Sequence, residues 1–145
     1  MTEHSIESRN ETSAGVAAVR SVNGGRQVLL IHLGRGGYEL PKGHPEGDEW
    51  MKETALREFR EETACVSKVK IRNYLGTVHY DFTDNDVLVH KTNHYFMLFP
   101  EEKYRFGELP PVTRERRWIT EEEAGKIKLI GENIRPIIFK AFHED

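Results

Sequence analysis

The sequence predicts an α+β domain in which a mixed, mostly antiparallel sheet lies between helices as an α/β/α sandwich. Three observations predict it. β-rich stretches dominate the start and middle of the chain, helical patterns occur singly between them, and short turn signals join consecutive β stretches as antiparallel hairpins require. With 145 residues, one compact domain is expected. Such a chain buries roughly two thirds of its unfolded surface and needs no disulfide or metal staple.

Residues 1–12 are polar and without periodicity, and are expected to form a flexible tail ahead of a single domain over 13–145. Ala14–Val22 and Gln27–Leu33 read as strands, and Asn23-Gly24-Gly25 between them is a hairpin signal. Two glycine-bearing loops follow, one with Gly34, Gly36 and Gly37, the other Lys42-Gly43-His44-Pro45-Glu46-Gly47. A helix is expected over Glu49–Thr63 with Asp48 as its N-cap. Val69–Phe82 and Val87–Phe99 should pair through the turn Thr83-Asp84-Asn85-Asp86. A proline-bearing loop over 100–112 leads to a short strand at Arg116–Ile119. Thr120-Glu121-Glu122-Glu123 is a capping box that opens a short helix. Ile134, Ile137, Ile138 and Phe142 recur at helical spacing in a closing helix over 132–142, with Pro136 early enough to be tolerated.

Charge and cysteine content narrow the function classes. The net charge is −3, from 24 acids and 21 bases, which is not the profile of a protein that holds nucleic acid by its phosphates. No stable nucleic-acid binding is expected. The single cysteine, Cys65, cannot form an internal disulfide, no run approaches the length of a membrane span, and the first residues lack the apolar core of a secretory signal. A cytoplasmic location with no membrane partner is the expectation. The oligomeric state is not legible.

The acidic charge is local. Between Glu46 and Glu62 there are seven acids and three bases, a sum of −4, so the rest of the chain carries +1. On a helix with about 100° per residue, Glu58, Glu61 and Glu62 share one face about 100° wide, beside an apolar face of Ala55, Leu56 and Phe59. Charges at this spacing most often mark a solvated surface. Three like charges at i, i+3 and i+4 nevertheless repel, and a hard divalent cation with oxygen ligands removes the conflict. The loop before the helix adds Lys42 and His44 and glycines that let backbone N–H groups approach phosphate.

Residues 43–66 resemble the Nudix box of the Nudix hydrolases: Gly, five residues, Glu, seven residues, then Arg-Glu-hydrophobic-X-Glu-Glu-X-Gly-hydrophobic. Gly43, Glu49, Arg57, Glu58, Phe59, Glu61 and Glu62 match, with Cys65 as a weak final hydrophobe. Ala64 stands where the family has glycine, which puts the turn after the helix in question. The resemblance implies a mixed sheet between helices and hydrolysis of a nucleoside diphosphate linked to another moiety, with Mg²⁺ or Mn²⁺ as cofactor. It implies that Glu58, Glu61 and Glu62 hold metal, that one of them helps deprotonate water, and that Arg57 orients a carboxylate. Glu49 would tie loop to helix. Glu115 is a candidate for the further carboxylate that several Nudix branches use, against a plain exposed strand residue.

Tyr38-Glu39-Leu40-Pro41-Lys42-Gly43-His44 is similar to the aromatic-X-X-Pro-Lys-Gly-His segment of asymmetric diadenosine tetraphosphate hydrolases. That branch implies cleavage of dinucleoside polyphosphates, for diadenosine tetraphosphate to ATP and AMP. Tyr38, Lys42 and His44 are then candidate substrate contacts, with His44 either on phosphate or holding its own loop. Lys91 and Tyr95 share one face of their strand with Asn93. Lys91 is a candidate for phosphate, and Tyr95 either stacks on adenine or belongs to the core. Other substrates within the same chemistry are nucleotide sugars, diphosphoinositol polyphosphates and RNA 5′ ends. A non-catalytic nucleotide sensor is the alternative outside it, disfavoured because all three helix carboxylates are present.

Overall fold

A computed structural model describes residues 7–145. Seven strands form one mixed sheet: β1 (Ser8–Val22), β2 (Gly25–His32), β3 (Tyr38–Glu39), β4 (Lys42–Gly43), β5 (Val69–Asp84), β6 (Val87–Pro100) and β7 (Glu115–Ile119). Helices are α1 (Met51–Thr63), α2 (Glu121–Ala124) and α3 (Arg135–Ala141), the last preceded by a 3₁₀ turn at Glu132–Ile134. The path β3-β2-β1-β6-β5 is antiparallel except between β1 and β6, which run parallel. β4 pairs with the middle of β1, and β7 with β2.

Both tight hairpins follow from residues that tolerate a left-handed backbone. Asn23 and Gly24 have φ of 49° and 77°, and Asn85 and Asp86 have 47° and 66°, the paired positive values of the turn that matches strand twist. The expected tail is where the structure departs most. Residues 1–6 lie outside the described residues, but Ser8–Thr12 are the first part of β1, in parallel register with Leu88–Thr92. Ser8, Arg9 and Asn10 are exposed and Glu11 and Thr12 half-buried, so their composition reads as a tail although their backbone is paired.

Strand alternation splits the core into two layers. Ala17, Val19, Val28, Leu30, Tyr95 and Met97 pack against Ile137, Ile138 and Ala141 of α3. Val16, Ala18, Leu29, Phe96 and Leu98 pack on the other side against Ala55 and Phe59 of α1. The sandwich is therefore helix, sheet, helix, with α1 alone on its face.

α1 begins two residues later than expected, with Trp50 rather than Asp48 at its cap. The Glu53 carboxylate accepts from the Trp50 N–H at 3.0 Å, and Glu49 accepts from the Glu46 N–H at 2.8 Å. These bonds hold residues 46–50 in a loop. The closing helix is shorter than its periodicity suggests, because Pro136 lacks the N–H to continue a ladder from the 3₁₀ turn.

α1 ends on Ala64 in the left-handed conformation, φ 60° and ψ 26°, its N–H donating to the Arg60 carbonyl at 2.9 Å. The turn natural to glycine is thus made by alanine at a strain cost. Ala64→Gly should raise stability by about 0.5–1 kcal/mol with turnover unchanged, read from urea unfolding. A loss of stability would contradict the strain.

Candidate active site

Arg57 organises the start of α1. Its guanidinium makes a fork to Glu49, Nε to Oε2 at 2.8 Å and Nη2 to Oε1 at 3.0 Å. Nη2 also donates to the His44 carbonyl at 2.8 Å. Nη1 reaches Glu58 Oε1 at 3.0 Å and Glu61 Oε2 at 3.2 Å. One planar cation thereby ties the glycine loop to the helix and sets two carboxylates side by side. Glu49 is pulled down to about 2, chiefly by Arg57 and then by the Glu46 N–H, so it remains an anionic strut.

The helix carboxylates sit at graded depth. Glu61 is exposed and Glu58 largely covered, and burial raises the Glu58 pKa against the pull of Arg57. Glu62 lies deeper, and burial pushes its pKa up to about 7. Its Oε1 accepts from the Lys42 N–H at 2.8 Å, which couples α1 to β4. Gly43 makes this approach possible, since a Cβ there would fall inside the Glu58 carboxylate. All three carboxylates line a 650 Å³ cavity whose other polar walls are Arg35 and Arg114.

Among the described residues no trio of His, Cys, Asp or Glu forms a preformed cage for a metal ion. The donor set still fits Mg²⁺ or Mn²⁺. These hard cations take carboxylate oxygens, retain waters, and are completed by substrate phosphates rather than by an all-protein cage. Glu58, Glu61 and Glu62 present six such oxygens to one cavity. Two of the three are raised by burial, and the Arg57 guanidinium bridges only Glu58 and Glu61.

A second group of cations stands beside this cavity. Lys91 is buried, with Nζ 3.3 Å from His44 Nε2 and 3.7 Å from Glu11 Oε1. The His44 Nδ1–H faces the Thr12 carbonyl at 3.2 Å, so Nε2 is the nitrogen that accepts from Lys91. Burial, and then the Lys42 charge, lower the Lys91 pKa. The structure thus brings Lys91 to His44 and within the influence of the Lys42 charge, while the Lys42 backbone meets Glu62. His44 braces its loop through the Thr12 carbonyl and faces Lys91.

Three candidates lie elsewhere. Glu115 accepts from the Tyr38 hydroxyl at 2.7 Å, and Arg117 covers the Tyr38 ring. Glu115 therefore points to the sheet face opposite its neighbours: Arg114 lines the carboxylate cavity and Arg116 Nη1 donates to the Thr63 carbonyl at the end of α1. The one-residue alternation of a strand puts Glu115 on the wrong side. Tyr38 goes with it, edge-on to His32 at 5.0 Å and packed against the α3 layer. Tyr95 is fully buried in that layer, so no base can stack on its ring.

Four residues at the site were not singled out from the sequence. Arg35 is carried between Gly34, Gly36 and Gly37, all at positive φ; the glycines were the signal, and the arginine among them was the residue to read. Arg114 is the neighbour of Glu115 in sequence, and only the side on which each projects separates them. Glu39 and Asn93 line a second cavity described below, and only their burial reveals them.

The NUDIX domain model matches residues 11–141. The chain is 35% identical over 107 residues to a MutT4 protein of Mycobacterium tuberculosis, covering 69% of this chain and 41% of that protein. It is 33% identical over 102 residues to Nudix hydrolase 4 of Arabidopsis thaliana, covering 70% of this chain and 47% of that one. It spans less than half the length of these curated relatives. Among solved structures, a NUDIX protein of Listeria monocytogenes superposes with a TM-score of 0.72 at 17% identity, over 90% of this chain and 91% of that one. A C. elegans Ap4A hydrolase complex superposes at 0.64 with 20% identity, over 91% and 96%. At these identities the structures share the fold. No helix among the described residues is long and apolar enough to cross a membrane. With the domain model covering nearly the whole length and the box residues running from β4 through the loop onto α1, the chain belongs to the NUDIX domain family.

Proposed function

We propose that the protein is a divalent-metal-dependent hydrolase of a pyrophosphate bond in nucleoside polyphosphates, with dinucleoside polyphosphates as the class its cations suit. One observation carries this reading: three helix carboxylates and two arginines line one cavity, and Lys42, which meets Glu62 through its backbone N–H, shares a second cavity with one of those arginines. A phosphate chain carries about one charge per phosphate, so a long chain needs cations beyond those at the scissile bond. Lys42 shares a second cavity with Arg35 and so extends the positive lining past the Arg35–Arg114 pair.

Bound Mg²⁺ or Mn²⁺ would supply charge neutralisation of phosphate oxygens and acidification of water, held by Glu58, Glu61 and Glu62. The chain's own groups do the rest. Arg57 fixes Glu58 and Glu61 through its fork on Glu49. Arg35 and Arg114 face the non-bridging oxygens as charge redistributes in line. Water oxygen bonds to phosphorus, the bridging P–O bond breaks toward the leaving phosphate, and a carboxylate of the trio takes the proton. The three carboxylates line one cavity, and the base is a property of the set.

The test is a panel of diadenosine tetraphosphate, ADP-ribose, a UDP-sugar, a diphosphoinositol polyphosphate and triphosphorylated RNA, each with Mg²⁺ and with EDTA. ATP and AMP from diadenosine tetraphosphate, with Mg²⁺ alone, is the expected result. No turnover of any member would favour a binding-only sensor. Lys42→Ala should lower kcat/KM on the tetraphosphate about 10–100-fold, the loss of one charge-assisted contact. An unchanged kcat/KM would remove Lys42 and the polyphosphate class together.

A further inference from the structure

Beside Lys42 lies a second cavity of 380 Å³, within the range of about 300–1,000 Å³ typical of small-molecule sites. Arg35 lines both it and the carboxylate cavity. Tyr80, Ile130 and Ile134 give it flat apolar walls, and Glu39, Asn93 and Tyr95 give it a polar floor.

The floor is unsatisfied. Glu39 Oε2, Asn93 Oδ1, Tyr95 Oη and Ser13 Oγ are buried without a hydrogen-bond partner, four of the five such atoms among the described residues. Ser13 stands opposite Asn93 in the β1–β6 register. The four residues are 5%, 2%, 0% and 1% exposed. A buried polar atom left unpaired forfeits its full desolvation, and the three that belong to residues lining this cavity, those of Glu39, Asn93 and Tyr95, point to a partner that arrives with a ligand. Their chemistry says what it carries. The carboxylate and amide oxygens can only accept, the hydroxyls can accept or donate, and no N–H is among the unpaired atoms. The missing partner is rich in donors and, between such walls, flat.

We propose that this cavity is the base subsite of the hydrolase and that its acceptor floor, centred on Glu39, selects guanine over adenine. The inference rests on the function proposed above and names its substrate more closely. Guanine presents a ring N–H and an amino group side by side, a paired edge for the two oxygens of one carboxylate. Adenine presents one amino group beside a ring nitrogen whose lone pair would face the carboxylate. A site built to receive hydrogen-bond donors rejects an analogue that lacks them far more strongly than an apolar pocket rejects a shape change. The phosphates would leave this cavity past Arg35 and Lys42 toward the helix carboxylates.

The experiment compares diguanosine, diadenosine and diinosine tetraphosphates on the full chain with Mg²⁺, together with calorimetric binding of GMP, 2′-deoxy-GMP and AMP in EDTA. The expected kcat/KM is about 100-fold higher for guanine than for adenine, mostly in KM, with inosine between because it lacks the amino group. Glu39→Gln exchanges an acceptor for a donor and should shrink the guanine-to-adenine ratio at least tenfold. The inosine series needs no variant and decides the matter should Glu39→Gln fail to fold. Equal use of the bases, or a preference for adenine, would overturn the inference and leave the hydrolase reading standing. Loss of binding on removing the 2′-hydroxyl as large as that on exchanging the base would assign Glu39 to the sugar and also overturn it. Tighter binding of GMP than AMP with no hydrolysis of any tetraphosphate would support the subsite and overturn the hydrolase reading alone.

Discussion

Glu62→Gln is expected to abolish turnover almost completely while making the metal-free protein more stable at alkaline pH. The residue is isosteric and keeps the oxygen that accepts from the Lys42 N–H at 2.8 Å, so the fold has little reason to change. The charge is what disappears. Burial pushes the Glu62 pKa up to about 7 from its usual 4.5, so the native state holds that proton more tightly than the unfolded chain does. The sign follows: below about pH 4.5 both states carry the proton and the carboxyl costs nothing. As pH rises through 7 the native state must bear a buried anion, and stability falls. At ~1.36 kcal/mol per tenfold change in acidity, removing that anion should stabilise the metal-free protein by about 1–3 kcal/mol at pH 8.5 and by nothing at pH 4. Thermal melts at the two pH values in EDTA check it. Turnover with Mg²⁺ should fall by about 10²–10⁴, the range for loss of a positioned proton acceptor. A variant that is less stable at pH 8.5, or that retains wild-type turnover, would contradict the account.

Gly43→Ala is expected to lower turnover at least about 100-fold, because a 1 Å misplacement near the reacting atoms is enough to do so. The added Cβ would occupy the space of the Glu58 carboxylate. Glu58 must then leave the Nη1 of Arg57, which it meets at 3.0 Å, and the pairing of Glu58 with Glu61 across that guanidinium is lost. Stability should change little, because the group in the way is the far end of a flexible side chain that can swing aside; urea unfolding checks this, with kcat measured on the same preparation. Wild-type kcat in a folded variant would show that the close approach of β4 to α1 has no catalytic consequence.

Elements whose signals are local were legible in the sequence. The Asn23-Gly24 hairpin, the acidic face of α1 and the Thr120 capping box each depend on residues a few positions apart. The box spacing carried the family, because α1 holds its carboxylates by helical geometry alone. What depends on long-range pairing was not legible. The parallel pairing of Ser8–Thr12 with Leu88–Thr92 joins residues eighty apart, and nothing in five polar residues reports it. Register decides the face of Glu115, and a shift of one residue exchanges Glu115 for Arg114 at the cavity. Tyr95 was placed on the right strand face, beside Lys91 and Asn93, but the depth of that face is set by α3 folding over it. Glu39 reads as a polar residue in a loop until its 5% exposure is known.

The acidic balance of the whole chain resides in the 46–62 segment, and the structure shows what it does there. Arg57 answers one charge, while Glu58 and Glu62 remain raised by burial. The account's central claim is that this cluster holds the cation against which a pyrophosphate bond is cut by water. The most direct measurement is single-turnover hydrolysis of a dinucleoside tetraphosphate in heavy-oxygen water, with Mg²⁺ and with EDTA, followed by mass analysis of both products. The account predicts one labelled oxygen in one nucleotide product with Mg²⁺ and no product in EDTA. Equal turnover in EDTA, or products that carry no label, would contradict it.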